Sequence, residues 1–340
     1  MNKKVLVTGG AGYIGAHTVV ELVNAGYETV IVDNLSKSDK TLLKGIEAIT
    51  KVDINFWEGD CCDRQFMTKL FQSAGPFSSV LHFAAFKSVG ESVENPLLYY
   101  QNNLDSLIAL LEVMLQHKVT DLIFSSSCTV YGQPDQVPVF EDAPFKRPES
   151  PYGATKQMCE RILEDVAGKG LRIVSLRYFN PIGAHPSSMI GEVPLGVPTN
   201  LVPYITQTAA GLREKLTVFG NDYDTPDGSC LRDYIHVVDL GIAHVKAMQY
   251  LQGRTDEKLY EAFNLGTGVG VSVLELIKKF TDTTHVNVPF VIGPRRSGDI
   301  EKVFADPAKA NKSLRWKAKY SIEDSLLHAW QWEKKIRGLK

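Results

Sequence analysis

A chain of 340 residues, 44% apolar and 22% charged, can build one large domain or two closely joined ones, each with a real core. Its 37 basic and 39 acidic side chains leave a formal net charge of −2 without a basic block, which argues against nucleic acid or an anionic membrane surface as a partner. No apolar run approaches the roughly 20 residues of a membrane span, and MNKKVLVTGG enters a strand too early for a secretory signal.

Short apolar runs alternate with helical stretches through the first half. Residues 3–9 read as a buried strand and 16–25 as a helix. Strands follow at 29–34 and 54–60, a helix at 63–74, and a strand at 79–85. A long helix is expected over 95–117, a strand over 121–127, a helix over 150–167 and a strand over 171–180. Strands this uniformly apolar, separated by helices, predict an α/β fold with a Rossmann-type, doubly wound parallel sheet. After Asn180 the chain turns rich in Pro and Gly until a helix near 239–251. That change predicts a division into a dinucleotide-binding domain, 1–180, and a smaller mixed α/β substrate domain, 181–340. The five cysteines (Cys61, Cys62, Cys128, Cys159 and Cys230) are odd in number and lack C-x-x-C pairing. Free thiols, a reducing cytoplasm and no metal centre are therefore expected.

VTGGAGYIG (7–15) contains two overlapping spacings, Gly10/Gly12/Gly15 and Gly9/Gly12/Gly15. Either suits a strand-to-helix turn that receives a pyrophosphate on free N–H groups. Asp33 ends the next strand, 18 residues after Gly15. An acid there accepts from an adenosine ribose and repels a 2′-phosphate, which favours NAD over NADP. Asp60 and Cys61 follow the third strand, on the adenine side; Phe83, Ala84, Ala85 and Lys87 follow the fourth.

SSSCTVYG (125–132) and SPYGATK (150–156) carry the chemistry. Tyr152 and Lys156 lie one turn apart on a helix that Ser150 can cap and Pro151 can open. An ammonium beside a phenol favours the phenolate, so Tyr152 is expected to have a lowered pKa and to accept a hydroxyl proton. Ser127, at a strand end, can bind the same oxygen.

With these motifs the chain resembles the extended short-chain dehydrogenase/reductases, and among them the UDP-glucose (UDP-galactose) 4-epimerase family. The likeness runs from VTGGAGYIG through VDNLS, FSSSCTVYG, SPYGATK, LRYFNPIGAHPS, RDYIHVVDL and FNLGTG to PRRSGD. It implies epimerisation at C4 of UDP-glucose or UDP-galactose in galactose metabolism, through a transient 4-keto sugar, with retained NAD and Tyr152 as base. It implies further NAD contacts at Tyr13, Ile14, Asn34, Leu35, Ser36, Lys37, Ser38, Phe86, Asn102 and Phe179. Asn180, Asn200, Leu201, Thr217, Val218 and Phe219 would lie on the UDP-sugar side. Arg232 and Arg296 would neutralise its phosphates, and Asp299 would take a ribose hydroxyl. A homodimer through the helices near 95–117 and 151–167 is also implied.

Three departures stand out: Ala85-Phe86 where Gly-Leu is usual, Thr199 for a common Asn, and Val303 where some relatives carry Tyr. The last implies room for a 2-acetamido group, hence UDP-N-acetylhexosamines as additional substrates. A 4,6-dehydratase is disfavoured because Cys128 and Thr129, not a carboxylate, follow Ser127. A non-catalytic NAD-binding regulator would be expected to lose Tyr152 or Lys156, and both are present.

Overall fold

The computed structural model describes residues 3–256, 258–296 and 299–339. Its larger unit begins with β1 (Lys4–Thr8), α1 (Tyr13–Asn24), β2 (Glu28–Asp33), α2 (Thr41–Thr50), β3 (Asn55–Glu58) and α3 (Arg64–Ala74). It continues through β4 (Ser79–His82), α4 (Val89–Glu94), α5 (Pro96–Gln116), β5 (Asp121–Ser127), α6 (Pro151–Val166) and β6 (Arg172–Tyr178). Next come β7 (Asn180–Ile182), α7 (Leu201–Ala209), β8 (Leu216–Phe219), β9 (Leu231–His236), α8 (Val237–Gln252) and β10 (Leu259–Leu265). The chain finishes with β11 (Gly270–Ser272), α9 (Val273–Thr284), β12 (Phe290–Gly293), β13 (Lys302–Val303), α10 (Ala308–Ser313) and α11 (Ile322–Arg337).

Seven strands form one parallel sheet in the order β10-β6-β5-β4-β1-β2-β3. Successive side chains on a strand face opposite ways. On β1, Val5 and Val7 join a core with residues of α1, α2 and α8, whereas Leu6 joins one with residues of α3, α5 and α6. Covering both faces explains the unbroken apolar runs. Local chemistry starts the helices where expected: Asp63 caps α3 through the N–H groups of Gln65 and Phe66, and Ser150 caps α6 through that of Gly153.

The smaller unit holds a four-stranded sheet, with β9 between β11 and β13 and β7 also pairing β9, and a two-stranded β8–β12 ribbon. Its core gathers side chains from α7, α9, α11 and the strands between them.

The expected boundary at residue 180 needs amendment. β10 pairs with β6 over its full length, Leu259 opposite Arg172 to Leu265 opposite Tyr178, and so completes the large sheet. α8 precedes it and packs on α1 closely enough that a Cβ on Gly241 would stand 3.3 Å from the His17 carbonyl. Pro and Gly after Asn180 mark loops, not the end of the sheet. Helices outside the expectation are α2 and the short α4 in the first half, and α7, α9, α10 and α11 after residue 180. α2 buries Leu42, Leu43 and Ile46, a helical spacing too brief to stand out between polar flanks.

Strand register sets the site. Thr8 lies level with both Val32 and His82, and Ser127 lies level with Tyr178. The residues just beyond these ends are therefore brought side by side along the carboxyl edge. The chain order reverses between β1 and β4, which opens a crevice there.

Candidate active site

A cleft of about 740 Å³ runs along that edge. At the nucleotide end, Gly9 has φ +71°, and a Cβ on it would come within 2.7 Å of the Ala84 nitrogen. A Cβ on Gly15 would stand 2.3 Å from the Gly9 carbonyl oxygen. Both positions demand glycine, and Gly9, found only in the Gly9/Gly12/Gly15 register, also needs the left-handed backbone, while a Cβ on Gly10 would likewise meet the buried Ile31 side chain at 2.8 Å. Gly12 starts α1 with no side-chain cap, so its first N–H groups face the cleft that Gly12, Tyr13, Ile14 and Gly15 line.

The Asp33 carboxylate accepts from the Leu35 N–H at 2.9 Å, the Ser38 hydroxyl at 2.8 Å and the Ala11 N–H at 3.2 Å. A carboxylate offers about four acceptor sites, so these three bonds orient Asp33 and leave capacity for a ribose hydroxyl. Burial raises its pKa, against the pull of those bonds. Asn34, Ser36, Lys37 and Ser38 border the same end. Leu35 does not: its side chain packs against the core, and only its backbone serves the site. Asp60 and Cys61 lie on the cleft wall, with Asp60 accepting from the Asn34 amide at 3.2 Å.

Phe83 to Lys87 form the far wall beside Asn102. Sequence reasoning passed over the next residue, Asn103, which is buried. Its amide accepts from the Phe86 N–H at 2.8 Å and donates to the Phe86 carbonyl and the Thr155 hydroxyl, both at 3.0 Å. It thereby staples the 83–87 loop to α5 and α6. The doubled Asn in QNN was the only signal.

At the catalytic end, Ser127 accepts from the Thr129 N–H at 3.2 Å and stands close enough to the half-buried Tyr152 phenol to pull its pKa down. Lys156 Nζ donates to the Ser125 carbonyl at 2.6 Å and lies 5.9 Å from the Tyr152 ring centre. The expected lowering of the phenol pKa is not what the protein groups produce. Burial pushes Tyr152 up to about 12, with Ser127 pulling the other way. Burial also brings Lys156 down to about 8, although Cys159 and Glu160 favour its charge. The ammonium is spent on a carbonyl instead of the phenol, so desolvation dominates.

Phe179, Asn180 and Asn200 line the remaining wall with Glu192 and the 193–199 segment. The other expected substrate residues lie beyond this lining. Arg296 and Asp299 pair at 2.6 Å, Arg232 reaches Asp299 at 3.9 Å, and Arg296 sits over Phe219 at 5.5 Å. Arg232 is electrostatically felt at Cys128, which does border the cleft. Thr217 and Val218 belong to β8, and Val218 and Leu201 pack in or against the smaller core. Val303 is buried with Val130, Tyr131 and Phe179. Ser297 and Gly298 of PRRSGD lie outside the described residues.

Comparison with known proteins bears on this geometry. A family model described as GDP-mannose 4,6 dehydratase matches residues 6–328. The UDP-glucose 4-epimerase of Bacillus subtilis is 49% identical over 339 residues, covering 99% of this chain and 98% of the relative. The chain belongs to the UDP-glucose 4-epimerase family. Two solved members show the same fold. One, from Stenotrophomonas maltophila with bound NAD and formylated UDP-arabinopyranose, has a TM-score of 0.95 and 49% identity, covering 99% of both chains. The other, from Bifidobacterium longum in complex with NAD+ and UDP, has a TM-score of 0.93 and 45% identity, covering 98% of both.

Membership of the epimerase family fits the residues after Ser127 better than the dehydratase description does. Elimination of water calls on a further acid/base pair, and the residues after Ser127 are Cys128, a thiol that burial raises to about 12, and Thr129, with no carboxylate beside them.

The Lys156 ammonium should lose its proton as the pH rises through about 8, below the usual 10.5. NMR titration of isotope-labelled lysines should show one such early midpoint, absent in Lys156→Met. A midpoint near 10.5 would mean that burial does not control this group.

Proposed function

We propose that the chain catalyses NAD-dependent epimerisation at C4 of a UDP-hexose, UDP-glucose and UDP-galactose, with Tyr152 as the base. The observation that carries this reading is the meeting of Ser127, Tyr152 and Lys156 at one end of a cleft whose other end is the glycine turn and Asp33. The cradle fits a dinucleotide: a Cβ at Gly9 or Gly15 would fill it, and the start of α1 offers uncapped N–H groups to a pyrophosphate. Asp33 would hold the adenosine ribose, with Asp60 and Cys61 toward the adenine. Bound NAD would supply a reversible hydride acceptor beside the sugar.

Tyr152 Oη takes the 4-hydroxyl proton and later returns it, with Ser127 Oγ bonded to the same oxygen. Lys156 lowers the cost of the phenolate once a cationic nicotinamide adds to its field. As O4 loses its proton, C4 would give up hydride to that acceptor and leave a 4-keto sugar. Once its other face is presented, C4 would take the hydride back and O4 the proton, so net redox is zero. Arg232, Arg296 and Asp299, clustered as described, would meet the UDP moiety with Phe219. Cysteines without a disulfide partner support a reducing, cytoplasmic setting, and galactose metabolism is the matching role. Among the described residues no helix is long and apolar enough to cross a membrane.

A second reading adds UDP-N-acetylhexosamines. Val303 shares its small buried cluster with Phe179, which borders the cleft, so the larger ring of a tyrosine here would crowd that wall where valine does not. A homodimer through α5 and α6 is supported by apolar side chains left exposed there and on α4, among them Val93, Leu97, Leu98 and Met158.

Tyr152→Phe should retain the fold and nucleotide binding yet lose roughly 10²–10⁴-fold in kcat. Turnover near the wild-type rate would remove Tyr152 as the base. Adding UDP-glucose to the purified protein, without added NAD, should raise a reduced-nicotinamide absorbance band. Val303→Tyr should suppress turnover of UDP-N-acetylglucosamine while sparing UDP-glucose, and a wild type inactive on the acetamido sugar refutes the broader range. Light scattering should give twice the 37.7 kDa chain mass, falling to one chain in Leu97→Glu; a monomeric wild type excludes the dimer.

A further inference from the structure

Glu192 stands where the two walls of the cleft meet, and both walls engage its side chain. Its Oε1 accepts from Lys87 Nζ at 3.1 Å, on the cofactor side, and from Asn200 Nδ2 at 2.6 Å, on the substrate side. Its backbone is pinned from elsewhere: Trp332 Nε1 on α11 donates to the Glu192 carbonyl at 2.8 Å. Gly191 lies flat on the same indole, where a Cβ would come within 2.4 Å of the ring. The Glu192 backbone is therefore held by α11, and the carboxylate projects from that anchored point to Lys87 and Asn200.

Asn200 occupies the N-cap position of α7 with extended backbone angles, φ −95° and ψ 148°, yet its side chain caps nothing. An asparagine there normally turns its oxygen to the helix N–H groups. Here the amide is drawn to Glu192. A carboxylate only accepts, an ammonium only donates, and an amide does both, so Glu192 decides which end of Asn200 points where. Nitrogen must face Oε1. The second N–H on that nitrogen is then left for a ligand in the cleft that Asn200 lines. Lys87 offsets the carboxylate charge, which would otherwise repel an anion.

We infer that Glu192 is a positioning residue that orients the Asn200 amide to donate to an anionic oxygen of the diphosphate of the UDP-sugar. This rests on the UDP-sugar reading given above. Electrostatics alone makes the opposite forecast: removing a negative charge, or replacing it with a positive one, should tighten UDP. Orientation requires both changes to weaken it.

The test is calorimetric titration of the holoenzyme with UDP and with uridine, beside steady-state kinetics. Glu192→Ala should weaken UDP about tenfold, and Glu192→Lys, which offers a donor and turns the amide oxygen outward, should weaken it further. Uridine affinity should stay within twofold. KM for the UDP-sugar should rise while kcat holds, because Ser127, Tyr152 and Lys156 are untouched. Glu192→Gln, which still presents an acceptor, should recover much of the affinity. Glu192→Ala combined with Asn200→Ala should be no weaker than Asn200→Ala alone. Additive losses, or unchanged or tighter UDP binding in Glu192→Ala while Asn200→Ala is impaired, overturn the inference and leave the UDP-sugar reading intact. A wild type that takes up no UDP overturns both.

Discussion

The Glu160 carboxylate, fully buried on α6, accepts from Arg177 on β6 at 2.6 Å, from Tyr260 on β10 at 2.8 Å and from Ser126 on β5. Arg177 in turn donates to the Tyr131 hydroxyl at 2.8 Å and the Glu141 carbonyl at 2.9 Å. Two buried charges carry a heavy desolvation cost unless their remaining hydrogen-bonding capacity is met, and here it is met from three strands. The helix bearing Tyr152 and Lys156 is thus fixed against the strand that ends in Ser127. Glu160 lies one turn beyond Lys156 and supports its charge. The catalytic geometry inherits its rigidity from this network more than from the cleft walls.

Much of this architecture was legible because local and tertiary demands agree. Uniformly apolar strands need two covered faces, and glycines at 9 and 15 are required by backbone approaches of 2.7 and 2.3 Å. Ser150 announced the start of its helix through short-range bonding. The parts that stayed hidden depend on long-range contacts. Nothing in LYEAFNL says that it pairs with β6 in place of a strand in the smaller sheet. Glu192 sits in a stretch without periodicity, and Trp332, which pins it, is 140 residues away. Glu160 was the most recoverable omission, since its four-residue spacing from Lys156 is helical.

Electrostatics at the site shows the same divide. Spacing places Lys156 near Tyr152, but only coordinates show the ammonium turned to the Ser125 carbonyl and both groups deprived of water. The protein by itself keeps the phenol neutral, with Tyr152 near 12. On the proposed reading, proton abstraction by Tyr152 would then wait on a further positive charge at the cleft.

The edge position of β10 bears on how the molecule is made. Until residue 265 has been synthesised, β6 lacks one neighbour, and its unpaired N–H and C=O groups form an open template beside Ile173, Val174 and Leu176. The larger sheet cannot be completed on the ribosome ahead of the segment between β6 and β10, which must be threaded out and back first. The larger sheet and the smaller unit are thereby tied together by the path of one chain.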